Sequence, residues 1–118
     1  MYINQSINQN YDFVVIGSGA AGLTAALVAS IEGLKVLVIE KTNVIGGTAA
    51  RSSGTVWIPN NSIQKSVGIE DSKEKSMAYL DSLVGCKSDR LLRECFVDQG
   101  PQMIDYLIKN TNIRFKPY

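Results

Sequence analysis

Few folds accommodate the run Tyr11 to Glu40, YDFVVIGSGAAGLTAALVASIEGLKVLVIE. Phe13-Val14-Val15-Ile16 is an unbroken apolar stretch of strand length, the pattern of a strand buried on both faces in a parallel sheet. Gly17-Ser18-Gly19-Ala20-Ala21-Gly22 follows and fits G-x-G-x-x-G. In that arrangement the first glycine makes a tight strand-to-helix turn, the second lets a pyrophosphate approach the backbone, and the third packs the helix on the sheet. Ala26 lies one helical turn after Gly22, so two small residues share the face that must come close to the strand. Gly33 ends the helical pattern and Val36-Leu37-Val38-Ile39 gives a second buried strand. Glu40 stands 18 residues after Gly22, near the spacing expected of an acid that binds a ribose hydroxyl. The whole is a βαβ dinucleotide fingerprint.

The same segment carries no charged side chain from 13 to 31, so hydropathy alone permits a membrane span or a signal peptide. Its flanks oppose both: residues 1–12 contain no Lys or Arg, and three glycines stand where a membrane helix would begin. No transmembrane segment is expected. A net charge of +1, from 12 basic and 11 acidic residues, gives no electrostatic footprint for nucleic acid or an anionic membrane. Cys86 and Cys95 form no C-x-x-C and the chain has no histidine, so no metal site is expected and the cysteines read as free thiols. Reduced thiols and the absence of an export signal suggest a cytoplasmic protein.

The polar, Asn/Gln-rich residues 1–10 read as a flexible tail. Residues 41–62 are rich in Gly, Ser, Thr and Asn and are expected to be loop with little regular structure; a loop this long in a compact domain usually has a function. Helix-start residues at Asp71 to Glu74 precede Met77, Leu80, Leu83 and Val84 at helical spacing up to Gly85. A second helix is expected from Ser88 with Leu91, Leu92, Cys95 and Phe96 on its inner side. A third is expected after Gly100, with Pro101 in its first turn and Met103, Ile104, Leu107 and Ile108 inward. One further strand-like stretch lies around Ile113-Arg114-Phe115, which leaves the sheet incomplete for a chain of 118 residues. The expected architecture is therefore α/β: a Rossmann-like βαβ unit with parallel strands and a cofactor loop over 11–62, then a mainly helical segment over 63–118.

The βαβ unit suits NAD and FAD equally, while Glu40 disfavours NADP because a carboxylate repels a 2′-phosphate. Gly46-Gly47-Thr48, six to eight residues after Glu40, offers a second glycine pair that could return to a longer, flavin-bearing ligand; the same pair could also be a plain turn. Together with Glu40-Lys41, Ser52-Ser53-Gly54 and Val56-Trp57-Ile58-Pro59, these residues resemble the N-terminal part of the fumarate reductase and succinate dehydrogenase flavoprotein superfamily. Within it they are most similar to the 3-ketosteroid Δ1-dehydrogenase branch. The order GGT-x-x-x-S-x-x-x-x-W-x-P is characteristic of that branch, whereas G-x-G-x-x-G is shared with many flavoproteins.

The resemblance implies that Gly17, Ser18, Gly19, Ala20, Ala21 and Gly22 hold the FAD pyrophosphate and Glu40 the adenosine ribose. It further implies that Lys41, Gly46, Gly47, Thr48, Ser53 and Gly54 lie along the cofactor toward its ring system. Lys41 reads equally well as a solvated lysine, and Trp57 as a packing residue. Succinate dehydrogenase flavoproteins of membranes attach FAD through a histidine of this region, and with none here the implied FAD is non-covalent. The implied reaction moves hydride between flavin N5 and a carbon–carbon bond next to a carbonyl, on a small molecule such as a steroid or other enone-type ketone. Members of the branch run to several hundred residues, so a fragment without catalytic residues, inactive by itself, is expected; no tyrosine, Tyr118 included, is assigned a catalytic role. A soluble fumarate-reductase-like flavoprotein and a non-catalytic nucleotide-binding remnant are the alternatives.

Overall fold

The computed structural model describes residues 10–117. Apart from Asn10, the expected flexible tail lies outside these residues, as does Tyr118. Two compact units succeed each other along the chain, one ending at Thr55 and one starting at Val56.

The first unit is a βαβ element. Strand β1 (Phe13–Ile16) leads into helix α1 (Ala20–Ile31), and the chain returns through strand β2 (Val36–Ile39). The strands pair in parallel, Phe13 opposite Val36 through Ile16 opposite Ile39. The pairing is extended at one end by Asp12 N–H on the Lys35 carbonyl and at the other by Gly17 N–H on the Ile39 carbonyl. Helix α1 turns its small residues inward, with Ala26 and Ala29 buried. Close approach is possible because Gly22 has no side chain: a β-carbon there would overlap the Gly17 carbonyl and stand 3.2 Å from Val15 Cγ1.

Full burial of both faces of the sheet does not occur. Val15, on the α1 side, is buried, whereas Val14 is 50% and Ile16 86% exposed. The cause is geometric. Side chains alternate across a strand, and with α1 on one face only, every second residue of β1 is left uncovered among the described residues.

After β2, the stretch expected to lack regular structure contains a 3₁₀ helix, Gly47–Arg51, and helix α2 opens inside it at Ser62. Asn61 caps α2 (Ser62–Ser66) by accepting the Gln64 N–H at 2.9 Å, the Asx chemistry that starts a helix locally.

In the second unit, helix α3 (Lys73–Val84) starts where expected, with Ser72 accepting the Lys75 N–H. Helix α4 (Arg90–Asn110) is one continuous helix instead of the two expected on either side of Gly100-Pro101. Proline inside a helix costs about 3 kcal/mol. Val97, Ile104 and Leu107 are each almost wholly buried and lie with Gly100 on one face. Burying a side chain of that size is worth roughly 1.5–3 kcal/mol, so the shared face outweighs the proline. Gly100 is itself fitted against Ile58, whose Cγ2 would be 3.0 Å from a β-carbon placed there.

The first half of α4 likewise does not turn the expected leucines inward. Leu91 and Leu92 are 70% and 68% exposed and Cys95 is exposed too, while Phe96 stacks on Trp57. In their place Arg93 turns toward α3, its guanidinium 3.0 Å from Asp81 Oδ1 and bonded to the Ser88 carbonyl. A paired arginine on that face rotates the leucines away from it. The last described residues, including Ile113-Arg114-Phe115, form no strand.

Candidate cofactor site

The end of β1 and the end of β2 sit side by side because the strands are parallel and in register, so Gly17 and Glu40 are brought together by the sheet. Gly17 takes φ of +95°, a conformation that side-chain-bearing residues rarely adopt, and this turns the chain sharply from strand into helix. Gly19 is the N-cap of α1 and has no side chain with which to satisfy the first helical N–H groups. Those donors, with the positive end of the helix dipole, favour an anion. A β-carbon at Gly19 would meet nothing within 4 Å, so the space beside this turn is open.

Ser18 is wholly buried and links three segments. Its N–H and its hydroxyl donate to Glu40 Oε2 at 2.9 and 2.7 Å. Its carbonyl and hydroxyl oxygens accept the Gly46 N–H at 3.0 and 3.1 Å. Gly46 and Gly47, both in left-handed conformation, thus return to the first glycine turn; a β-carbon on Gly47 would lie 3.2 Å from Gly19 Cα. The Gly46-Gly47 pair is therefore packed against the first glycine turn and does more than reverse the chain locally.

On its other oxygen, Glu40 accepts the N–H and hydroxyl of Thr42, each at 3.0 Å. These donors hold its carboxyl at about 2, down from 4.5, with the Ser18 hydroxyl the largest cause, followed by the Ser18 N–H and then Thr42. Because the folded-state value is lowered, the favourable contribution of the ionised group is complete above about pH 4.5 and fades as pH falls toward 2.

A cleft of about 550 Å³ opens over these groups, lined by Gly17, Ser18, Gly19, Glu40, Lys41, Gly47 and Thr48 of the expected site residues. Ala20 and Ala21 continue from its floor into α1, Gly22 packs behind it against Gly17, and Gly46 is tied to Ser18. Ser53 and Gly54 are not in the lining: Ser53 contacts the Thr55 hydroxyl and the Gly54 N–H donates to Ser52 Oγ. Sequence reasoning missed Ile16, Ile39, Thr42 and Val44 and left Arg51 aside; all five line the cleft. Thr42 carried a signal, since a threonine two residues after an acid can close a local turn with it. Lys41 and Arg51 give the cleft two positive charges beside Glu40.

Trp57 belongs to the second unit, in an aromatic cluster with Tyr79 and Phe96 at centroid distances of 5.5 and 5.8 Å. Cys86 and Cys95 are free and exposed. Among the described residues no helix is long and apolar enough to cross a membrane.

A parallel βαβ element with an uncapped glycine turn, a small-residue helix face and a fixed acid at the end of β2 defines a dinucleotide-binding unit of the Rossmann type. The chain belongs to the FAD binding domain family, whose model it matches over residues 12–117, and its cofactor is FAD. It is 43% identical over 106 residues to a 3-oxosteroid 1-dehydrogenase of Mycobacterium tuberculosis, an alignment covering 90% of this chain and 19% of that protein. It is 40% identical over 106 residues to an NADH:fumarate oxidoreductase of Klebsiella pneumoniae, covering 88% of this chain and 11% of the relative. The crystal structure of 3-ketosteroid Δ1-dehydrogenase from Sterolibacterium denitrificans, in complex with 1,4-androstadiene-3,17-dione, superposes with a TM-score of 0.77 at 39% identity. That superposition covers 86% of this chain and 18% of that one. The chain thus spans about a fifth of the length of these steroid-dehydrogenase relatives.

The residues present fit FAD. The open space at Gly19 and the uncapped start of α1 suit a pyrophosphate, and the ionised Glu40 suits a hydroxyl donor.

Proposed function

We propose that this chain is the N-terminal FAD-binding portion of a flavin-dependent oxidoreductase of the 3-ketosteroid Δ1-dehydrogenase type. The observation that carries the reading is the junction at Ser18, where the glycine turn, Glu40 and the Gly46-Gly47 loop meet. In this reading Gly17 to Gly22 bind the pyrophosphate through backbone N–H groups and Glu40 accepts from the adenosine ribose. Lys41, Gly46, Gly47 and Thr48 continue along the cofactor, with Ser53 and Gly54 further on. FAD would be held without a covalent bond, and when bound it would supply the acceptor for a hydride leaving a C–H of one carbon of a carbon–carbon bond next to a carbonyl, the other carbon of that bond giving up a proton to a base as the double bond forms. The chain's own residues bind and orient it: Glu40 remains ionised near neutral pH, Ser18 fixes its direction, and Lys41 and Arg51 offset phosphate charge. The substrate class is a small ketone, steroid or similar enone, and residues 11–118 form the first part of the FAD-binding domain.

The visible spectrum of the purified full chain tests this. A flavin spectrum, released into the supernatant by acid precipitation, is expected; a colourless protein that cannot be reconstituted with FAD overturns the reading. The 40% identity to an NADH:fumarate oxidoreductase favours one other reading, a fumarate-reductase-like enzyme. Assaying dehydrogenation of a 3-ketosteroid against reduction of fumarate separates the two.

A further inference from the structure

The Glu40 carboxylate has about four lone-pair positions, and four donors surround it. A ribose hydroxyl must therefore take a place that one of them gives up. The four are not equivalent. Both Ser18 bonds are partly buried, and the Ser18 hydroxyl proton has Glu40 Oε2 as its acceptor at 2.7 Å while its oxygen receives the Gly46 N–H. Both Thr42 bonds are exposed. The Thr42 hydroxyl has one proton and two acceptors in reach, Glu40 Oε1 at 3.0 Å and the Val44 carbonyl at 2.7 Å, so the proton can go to Val44 and leave Oε1 with a free position.

Resting on the adenosine-site reading above, we propose that the two oxygens of Glu40 have separate roles. Oε2 is the fixed oxygen, held by Ser18 as a positioning residue, and Oε1 is the one offered to a ribose hydroxyl, with the Thr42 hydroxyl giving way to the Val44 carbonyl. Ser18 acts through Glu40 and the second glycine loop at once. Its loss frees the carboxylate to turn and removes one of the two acceptors of the Gly46 N–H. Among the described residues, Lys41 and Arg51 are the other charged side chains lining the cleft, and no second carboxylate lines it.

The test compares FAD affinity and the Glu40 carboxyl titration, followed by carbon NMR, in the full chain and in Ser18→Ala, Thr42→Val and Glu40→Ala. Ser18→Ala is expected to weaken FAD on the order of tenfold, the loss of one charge-assisted hydrogen bond. It also moves the Glu40 titration upward toward 4.5, which a defect of packing alone would not do. Thr42→Val is expected to keep FAD affinity within about threefold, because the donor it removes is the one the ligand displaces. Unchanged affinity in Ser18→Ala, or a larger loss in Thr42→Val than in Ser18→Ala, overturns the assignment. Should Ser18→Ala fail to fold, Thr42→Val decides: retention supports the assignment and a tenfold loss overturns it. If Glu40→Ala leaves FAD affinity unchanged, the adenosine-site reading itself falls, whatever the other variants do.

Discussion

The unit through Thr55 and the unit from Val56 rest on different kinds of constraint. In the first, the decisive positions are those without a β-carbon: Gly22 lets α1 meet the Gly17 carbonyl, and Gly47 comes within contact of Gly19. A few backbone placements and one carboxylate define the geometry, and they lie close together in sequence or are joined by strand pairing. In the second unit the geometry rests on apolar side chains that meet across long separations, as Ile58 does Gly100, and on which face of a helix wins burial. Sequence motifs report the first kind of constraint directly. The second kind depends on partners that a local pattern does not contain.

This contrast can be broken at four places, in order of decreasing effect. Gly22→Val puts side-chain atoms into backbone that cannot move, and a loss above about 4 kcal/mol with no recoverable flavin is expected in chemical denaturation and absorbance. Ile104→Ala opens a cavity under α4 and is expected to cost about 3 kcal/mol in urea unfolding, with the FAD affinity of the folded fraction unchanged. Pro101→Ala is expected to stabilise by about 1–2 kcal/mol, since it restores a helical hydrogen bond in a continuous α4 at a smaller cost from the freer unfolded chain. Destabilisation would show that the helix is interrupted there. Leu91→Ser is expected to stay within about 0.5 kcal/mol; a loss above 1 kcal/mol would mean that this side chain is covered, and the contrast would shrink.

The legible part of the fold follows the same division. Both strands, α1 and the turn between them could be read because two unbroken apolar runs of strand length, small residues one helical turn apart, glycine spacing and a terminal acid agree with one another over thirty residues. Among the residues lining the cleft, Gly17, Ser18, Gly19 and Glu40 were marked by their spacing, whereas Lys41, Gly47 and Thr48 were implied only by the family resemblance. Ile16 and Ile39 were marked by neither, because an apolar residue at a strand end has the same sequence signal whether it lines a cleft or a core. Arg51 reached the cleft only through a 3₁₀ turn that a Gly- and Ser-rich composition conceals. In α4, Pro101 and Leu91-Leu92 pointed to a break and an inward apolar side. Burial of Val97, Ile104 and Leu107 and the Arg93–Asp81 pair decided otherwise. The interval around Ile113 has strand-forming residues but no neighbouring strand among the described residues to complete its hydrogen bonds.

The central claim is that the first unit reads the ADP half of FAD through the glycine turn and Glu40. Competition against FAD binding by ADP and by FMN, in the full chain and in Glu40→Ala, tests it most directly. ADP should compete and FMN should not, and Glu40→Ala should weaken ADP and FAD alike, on the order of ten- to a hundredfold. Competition by FMN without competition by ADP, or unchanged ADP affinity in Glu40→Ala, would contradict it.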